Sequence, residues 1–351
     1  MIKKSILAIS LVSLLVSGCT IQLGKKQPPA IRGVFKSVDA AATWTPKSLY
    51  LHSQGVGSIA GIDVLDITFD SNDANTIYLT TVNGGLVYTL DAGESWQKPL
   101  GVPLTRVEAV AIDPTNKCVV YIAIANTIRK TVDCTRTWRE VYVDTRADKL
   151  ITTLTIDRTE PSRIYASNTA GDILRSNNGG TEWQVVQRLT DRITKFLFDP
   201  FDTRVFYVAT ARKGIYRTTD SGLTWVNLSD GLRQFRGALE YRNLLIDSSK
   251  SNSLLLVSKY GLLRTSDGGL TWEAVNLITP PGATEILAAA INTANDRNEL
   301  YYATAATFYA SSDGGQTWET RRLPSAARPS VLVIHPQNPD VMYMGLVAPP
   351  Q

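Results

Sequence analysis

Histidine, cysteine and methionine are nearly absent: 2 His, 3 Cys and 3 Met stand among 351 residues. With only His52 and His335, chemistry that needs an imidazole base, or several imidazoles around a metal, has too few groups to build from. A glycine-rich phosphate loop and a serine nucleophile elbow are also missing, which removes common nucleotide-dependent and serine-hydrolase classes. Charge is nearly balanced, with a formal net of +4, so the chain does not read as a nucleic-acid binder.

What the chain has in abundance is a repeat. Thr265-Ser-Asp-Gly-Gly-Leu-Thr-Trp272 reads Ser/Thr-x-Asp-x-Gly-x-Thr-Trp, and variants of it occupy residues 37–44, 89–96, 131–138, 176–183, 218–225, 265–272 and 311–318. All 7 tryptophans close one of these boxes, at steps of 52, 42, 45, 42, 47 and 46 residues. The box has a local mechanism. Asp, Asn, Ser and Thr side chains bond nearby backbone N–H groups and hold a tight turn. Glycine supplies a positive φ, and Trp is an apolar plate suited to packing between sheets. Asp39, Asp91, Asp133, Asn178, Asp220, Asp267 and Asp313 therefore read as structural, as do Trp44, Trp96, Trp138, Trp183, Trp225, Trp272 and Trp318. A calcium site is the alternative for the carboxylates. The boxes lack the dense Asp spacing of calcium loops, so no metal or other cofactor is expected.

A second pattern lies between the boxes. An apolar strand ends at Asp70, Asp113, Asp157, Asp199, Asp247, Asn292 or His335, and a strand rich in Tyr and β-branched residues follows. Each unit thus reads strand A, strand B, strand C, box turn, strand D. A period in the forties with four short strands per unit predicts a radial β architecture. The chain opens on a C–D hairpin and closes on an A–B hairpin at 331–345. Joining the two halves completes a blade and removes an exposed edge. The expectation is an all-β, seven-bladed β-propeller of four-stranded blades over residues 32–348, the last blade closed by the N- and C-terminal hairpins.

The boxes resemble the Asp-box (bacterial neuraminidase) repeats of β-propellers. Those occur in sialidases, sortilin-type receptor domains, xyloglucanase-type glycoside hydrolases and photosystem II assembly-factor propellers. The resemblance covers nearly all of the chain after its leader. It implies the fold, while the relatives' functions differ from one another.

Residues 1–18 read as a leader. Lys3-Lys4 is a basic start, residues 6–16 are an apolar run interrupted only by serines, and small residues precede Cys19. The run is short for a permanent membrane helix. Ending in Leu15-Val-Ser-Gly-Cys19, it resembles a bacterial lipoprotein signal, which implies cleavage before Cys19 and acylation of that residue. Residues 19–31 would be a flexible linker, and the protein would sit lipid-anchored in the bacterial cell envelope. Cys118 and Cys134 then remain as an even pair in an exported chain. Cys118 falls at the start of a strand B and Cys134 in the box after its strand C, so both lie on one rim of one blade. A disulfide is one reading, worth about 3 kcal/mol in the chain-entropy account. Two unpaired buried residues are the other.

In this topology A–B turns and boxes share one face, and B–C and D–A connections share the other. The first is acid-rich. The second is basic, with Arg106, Arg146, Lys149, Arg188, Arg192, Lys195, Arg321, Arg322 and Arg328 among its residues. Residues 46–63 and 226–242 are the longest D–A connections. Arg212, Lys213, Arg233, Phe235, Arg236, Tyr241 and Arg242 are the candidate partner contacts, because arginine interleaved with aromatics suits recognition. Solvated loop charge is the plainer reading. Sialidase-type propellers carry an Arg-Ile-Pro-like motif near the start; this chain reads Ala30-Ile-Arg-Gly33 there, and Glu240, Tyr241 and Glu285 stand in no telling spacing. The expected function is a non-catalytic, lipid-anchored scaffold binding an envelope protein or peptide. The alternative is a glycan-binding or glycoside-hydrolase-like propeller acting on polysaccharide, which would need two facing carboxylates.

Overall fold

The box chemistry fixes the local geometry from which the ring is built. In a computed structural model that describes residues 30–350, every box has two consecutive residues with φ between 52° and 90° directly after its Asp or Asn. Glycine takes this conformation freely; Ala41 and Thr135 take it at a steric cost, in the place where the other boxes have glycine. The box side chains lock the turn. Thr89 Oγ1 donates to Asp91 Oδ1 (2.6 Å) and accepts the Gly93 N–H (3.0 Å), while Asp91 accepts both the N–H and the hydroxyl of Ser95 (2.9 and 2.6 Å). The box with Asn178 keeps the scheme by a double exchange. Glu182 replaces the usual Thr or Ser, and the Asn178 amide donates to its carboxylate (3.3 Å).

Each box also ties to its own A–B turn. The first positive-φ residue donates its N–H to a turn carbonyl, as from Ala92 to Asn75 (2.8 Å) and Gly314 to Asn298 (2.7 Å), and residues 40, 134, 179, 221 and 268 do the same. Boxes and A–B turns therefore share one face, the turn face. The A–B turns close on side chains too. Asp70, Asp113, Asp157, Asp199 and Asp247 each accept the N–H two residues on. His335 does so through Nδ1, from Gln337 (3.2 Å) and Asn338 (3.1 Å).

Blade 1 comprises Val64–Phe69, Ile77–Thr81 and Leu86–Thr89. Blades 2, 3 and 4 begin at Ala109–Asp113, Ile151–Ile156 and Ile193–Phe198; blades 5 and 6 begin at Tyr241–Ile246 and Ala288–Asn292. Each of these five has four antiparallel strands in sequence order. Blade 7 joins Arg328–Ile334 and Met342–Val347 to Gly33–Ser37 and Thr45–Lys47, with Phe35 opposite Met344. The terminal hairpins thus close the ring, and every strand A touches the strand A of the next blade, the seventh meeting the first.

Seven apolar clusters lie between neighbouring blades, each with one box tryptophan from the later blade of the pair. Trp96 and Trp272 are buried; the other five are half-buried, their outer edges wet. One expected loop is structured. Within residues 46–63, Leu49–His52 and Gly55–Ser58 form a hairpin that pairs with Trp96, outside the strand-D segment of blade 1, which reaches Tyr88 by a single bridge from Gln97. Pro99 follows and has no N–H to continue that ladder. Cys118 and Cys134 meet on the turn face of blade 2, Cα atoms 3.8 Å apart, with their sulfurs joined. The leader, Cys19 and the linker as far as residue 29 lie outside the described residues.

Candidate functional site

The loop face carries the side chains proposed for recognition, and the fold gathers some of them. After strand D of blade 4, a helical turn at Ser229–Leu232 sets Leu228, Leu232 and Ala238 into the cluster between blades 4 and 5. Ser229 Oγ donates to the Lys213 carbonyl (2.8 Å), which brings the segment over the B–C turn bearing Arg212 and Lys213. The Asp191 carboxylate accepts the backbone N–H groups of both residues (2.7 and 3.1 Å).

Their side chains differ in availability. Arg233 is engaged by Asp230 (2.9 Å), and Arg242 by Glu285 (3.3 Å), which Arg328 also holds (2.7 Å). Phe235 is half-buried and meets Tyr260 edge-on at 5.2 Å, so it anchors the segment instead of offering a free ring. Tyr241 begins strand A of blade 5. It is half-buried, and burial pushes its pKa up. Arg212, Lys213 and Arg236 are exposed and make no ion pair among the described residues, and neither do Lys195 and Arg322. The face is therefore less basic than its arginine and lysine content suggests, because acids such as Glu108, Asp144, Asp172, Asp230, Glu240 and Glu285 stand among the cations.

Two buried carboxylates do lie together there. Asp144 and Asp172 both accept from Arg146 Nη2 (2.8 and 2.6 Å) and from Asn168 Nδ2 (3.0 and 3.1 Å), and Arg188 adds a bond to Asp172 (3.1 Å). The Arg146 guanidinium holds Asp144 below the usual carboxylate range. Burial pushes Asp172 up, but Arg146 and Asn168 outweigh it and leave it low as well. A glycosidase acid needs the reverse, a carboxyl kept protonated near neutral pH. No group of three His, Cys, Asp or Glu side chains suited to a metal occurs among the described residues.

A second polar site was not anticipated. Tyr and Lys/Arg stand opposite each other on strands B and C, and together they clasp the turn face of the next blade. Tyr121 and Lys130 both donate to the Gly179 carbonyl (2.9 Å each), Tyr343 and Lys36 to that of Ala92 (2.8 and 3.0 Å), and Tyr165 and Arg175 to that of Ser221 (3.1 and 3.4 Å). Tyr207 and Arg217 reach Asn252 Oδ1 instead (3.2 and 2.7 Å). The sequence signal is a cation immediately before the box Ser/Thr, at Lys36, Lys130, Arg175, Arg217 and Arg264. Two of the altered clasps border open clefts. A cleft of about 570 Å³ lies between blades 5 and 6, where Leu255 stands opposite Arg264; one of about 380 Å³ lies between blades 1 and 2, where Tyr88 replaces the cation opposite Tyr78.

No known family profile matches the chain. Among curated proteins it is similar to a xyloglucanase from Paenibacillus sp, 25% identical over 217 residues, which is 55% of this chain and 17% of that protein. It is also similar to a probable oligoxyloglucan-reducing end-specific xyloglucanase from Neosartorya fischeri, 34% identical over 83 residues, or 23% of this chain and 10% of that one. The chain thus spans less than a fifth of either relative. Among solved structures, YCF48 bound to D1 peptide superposes with a TM-score of 0.62 at 17% identity, over 82% of this chain and 94% of that one. The Niastella koreensis GH74 enzyme gives 0.65 at 18% identity, over 82% and 51%. These likenesses establish the propeller fold.

Proposed function

We propose that the protein is a lipid-anchored, non-catalytic propeller of the bacterial cell envelope that holds an envelope protein or peptide on its loop face. The observation that carries this reading is a set of exposed cations that make no ion pair among the described residues, Arg212 and Lys213 on the B–C turn of blade 4 and Arg236 on the ordered segment beside it, with the Lys213 ammonium holding only a hydrogen bond to Thr190 Oγ1 (2.7 Å). Desolvating them against a partner's carboxylates would break no ion pair within the fold. The locked state of Asp144 and Asp172 supports a binder over a hydrolase. So does the extent of the likenesses: one ring of this size matches nearly all of a propeller that binds a peptide but about half of a GH74 enzyme.

The test is capture from envelope extract by the detergent-solubilised chain, compared with Arg212→Glu/Lys213→Glu/Arg236→Glu and with Arg233→Glu as the ion-paired control. Loss of one partner in the triple variant, with retention in the control, supports the reading. An unchanged captured set refutes the loop face as the binding surface. The resemblance to xyloglucanases keeps glycan action as the second reading. Release of reducing ends from xyloglucan, abolished by Asp144→Asn/Asp172→Asn, would replace the first reading with the second.

A further inference from the structure

The cleft between blades 5 and 6 lies on the turn face, away from the surface just described. Its origin is a single departure from the repeat. At the strand-B position facing the next blade, six blades carry tyrosine: Tyr78, Tyr121, Tyr165, Tyr207, Tyr301 and Tyr343. Four of these phenols donate into the neighbouring turn at 2.8–3.2 Å. Blade 5 has Leu255, which fills less space and has no hydroxyl. Arg264, its cross-strand neighbour, is left with long contacts: 3.4 Å to the Gly314 carbonyl and 3.7 Å to Glu273.

We propose that this cleft is a docking slot for the tyrosine side chain of a partner polypeptide. The ring would lie over Leu255, Ile291 and Leu300, which form the apolar floor, and the hydroxyl would donate to the Gly314 carbonyl. Arg264 would close over the ring, as Lys130 lies over Tyr121 at 5.0 Å and Arg217 over Tyr207 at 5.9 Å. The protein itself supplies the template, since the same constellation is completed by its own tyrosine at other blade interfaces. A polypeptide is favoured over a free phenol by what surrounds the floor. The volume of about 570 Å³ exceeds one ring, Ser266 offers a hydroxyl to a flanking backbone, and the Ser249 and Thr293 hydroxyls, which donate to Asp247, can still accept from its N–H groups.

The experiment titrates the full chain with acetyl-Gly-Tyr-Gly-amide, its Phe counterpart, and p-cresol, by calorimetry. The expected result is saturable binding of the Tyr peptide, about 5-fold tighter than either other probe, as one hydroxyl hydrogen bond and added backbone contacts would give. Leu255→Tyr supplies the missing phenol internally and should abolish binding while raising the melting temperature. If that variant fails to fold, Ile291→Trp should fill the cleft from its floor and block entry instead. Equal binding of the Tyr and Phe peptides, no saturable binding, or unchanged binding in a folded blocking variant overturns the proposal. Equal binding of p-cresol and the Tyr peptide overturns the polypeptide as occupant. None of these outcomes bears on the loop-face cations, which the slot does not contact.

Discussion

On the turn face, polar side chains are committed to the fold: box hydroxyls to box carboxylates, turn carboxylates to backbone N–H groups, and clasp cations to the next blade. On the loop face, pairing is irregular, with Arg233 and Arg242 held in ion pairs while Arg212, Lys213 and Arg236 make none among the described residues. The difference teaches where to look for function in a repeat protein. A periodic residue is present because each blade needs it. A residue that breaks the period, or lies where no period operates, is available for something else. By that rule Leu255 is as informative as the loop-face cations, although it lies in the more regular half.

The comparison can be broken most severely at the tryptophans. Trp96 is fully buried, and Trp96→Ala should cost about 3–5 kcal/mol in chemical denaturation, while the half-buried Trp318→Ala costs less. Equal losses would mean that burial at the blade interface does not set the tryptophan's contribution. Removing the link between Cys118 and Cys134 by double serine substitution should cost about 3 kcal/mol under oxidising conditions and nothing after reduction. Thr89→Val strips a buried hydroxyl from the Gly93 N–H and from Asp91, and a loss of about 1–3 kcal/mol is expected.

Acid sharpens the contrast without mutation. The hydroxyls of Thr43, Thr137 and Thr224, and then their backbone N–H groups, hold Asp39, Asp133 and Asp220 at about 2. Depressed carboxyls stabilise the fold fully above the unfolded value of about 4, and that contribution is lost as pH falls through about 2. His335 acts earlier. Burial lowers its pKa from 6.5, so the fold prefers the neutral ring, and stability should fall as pH drops below that value. His335→Asp, which restores the acceptor found in five other blades, should remove the part of the slope between pH 7 and 5. A slope unchanged in the variant would place its origin elsewhere. The smallest effect is expected on the loop face, where Arg212→Glu should shift stability by no more than about 0.5 kcal/mol.

Much of this was legible in the chain. The seven Asp/Asn and seven Trp positions specify blade number and turn chemistry because both act through neighbours close in sequence. The closure of the ring followed from counting hairpins. The cysteine juxtaposition followed from strand order, since the start of B lies beside the end of C. The loop face was less legible. Arg233 and Arg242 looked like free contacts because their partners, Asp230 and Glu285, can be recognised as partners only once the loops have a shape. Residues 46–63 looked like a loop because pairing with Trp96 on another blade leaves no periodic signal.

The sequence by itself determined the blade count, the order of strands, the box turns and the sharing of faces, all of which rest on short-range hydrogen bonding and regular apolar alternation. Only the tertiary structure decided which cations are free, that Asp144 and Asp172 are locked by Arg146, and that Leu255 opens a cleft. These depend on which side chains meet across blades, and a one-dimensional period cannot encode distances between residues that the ring brings together.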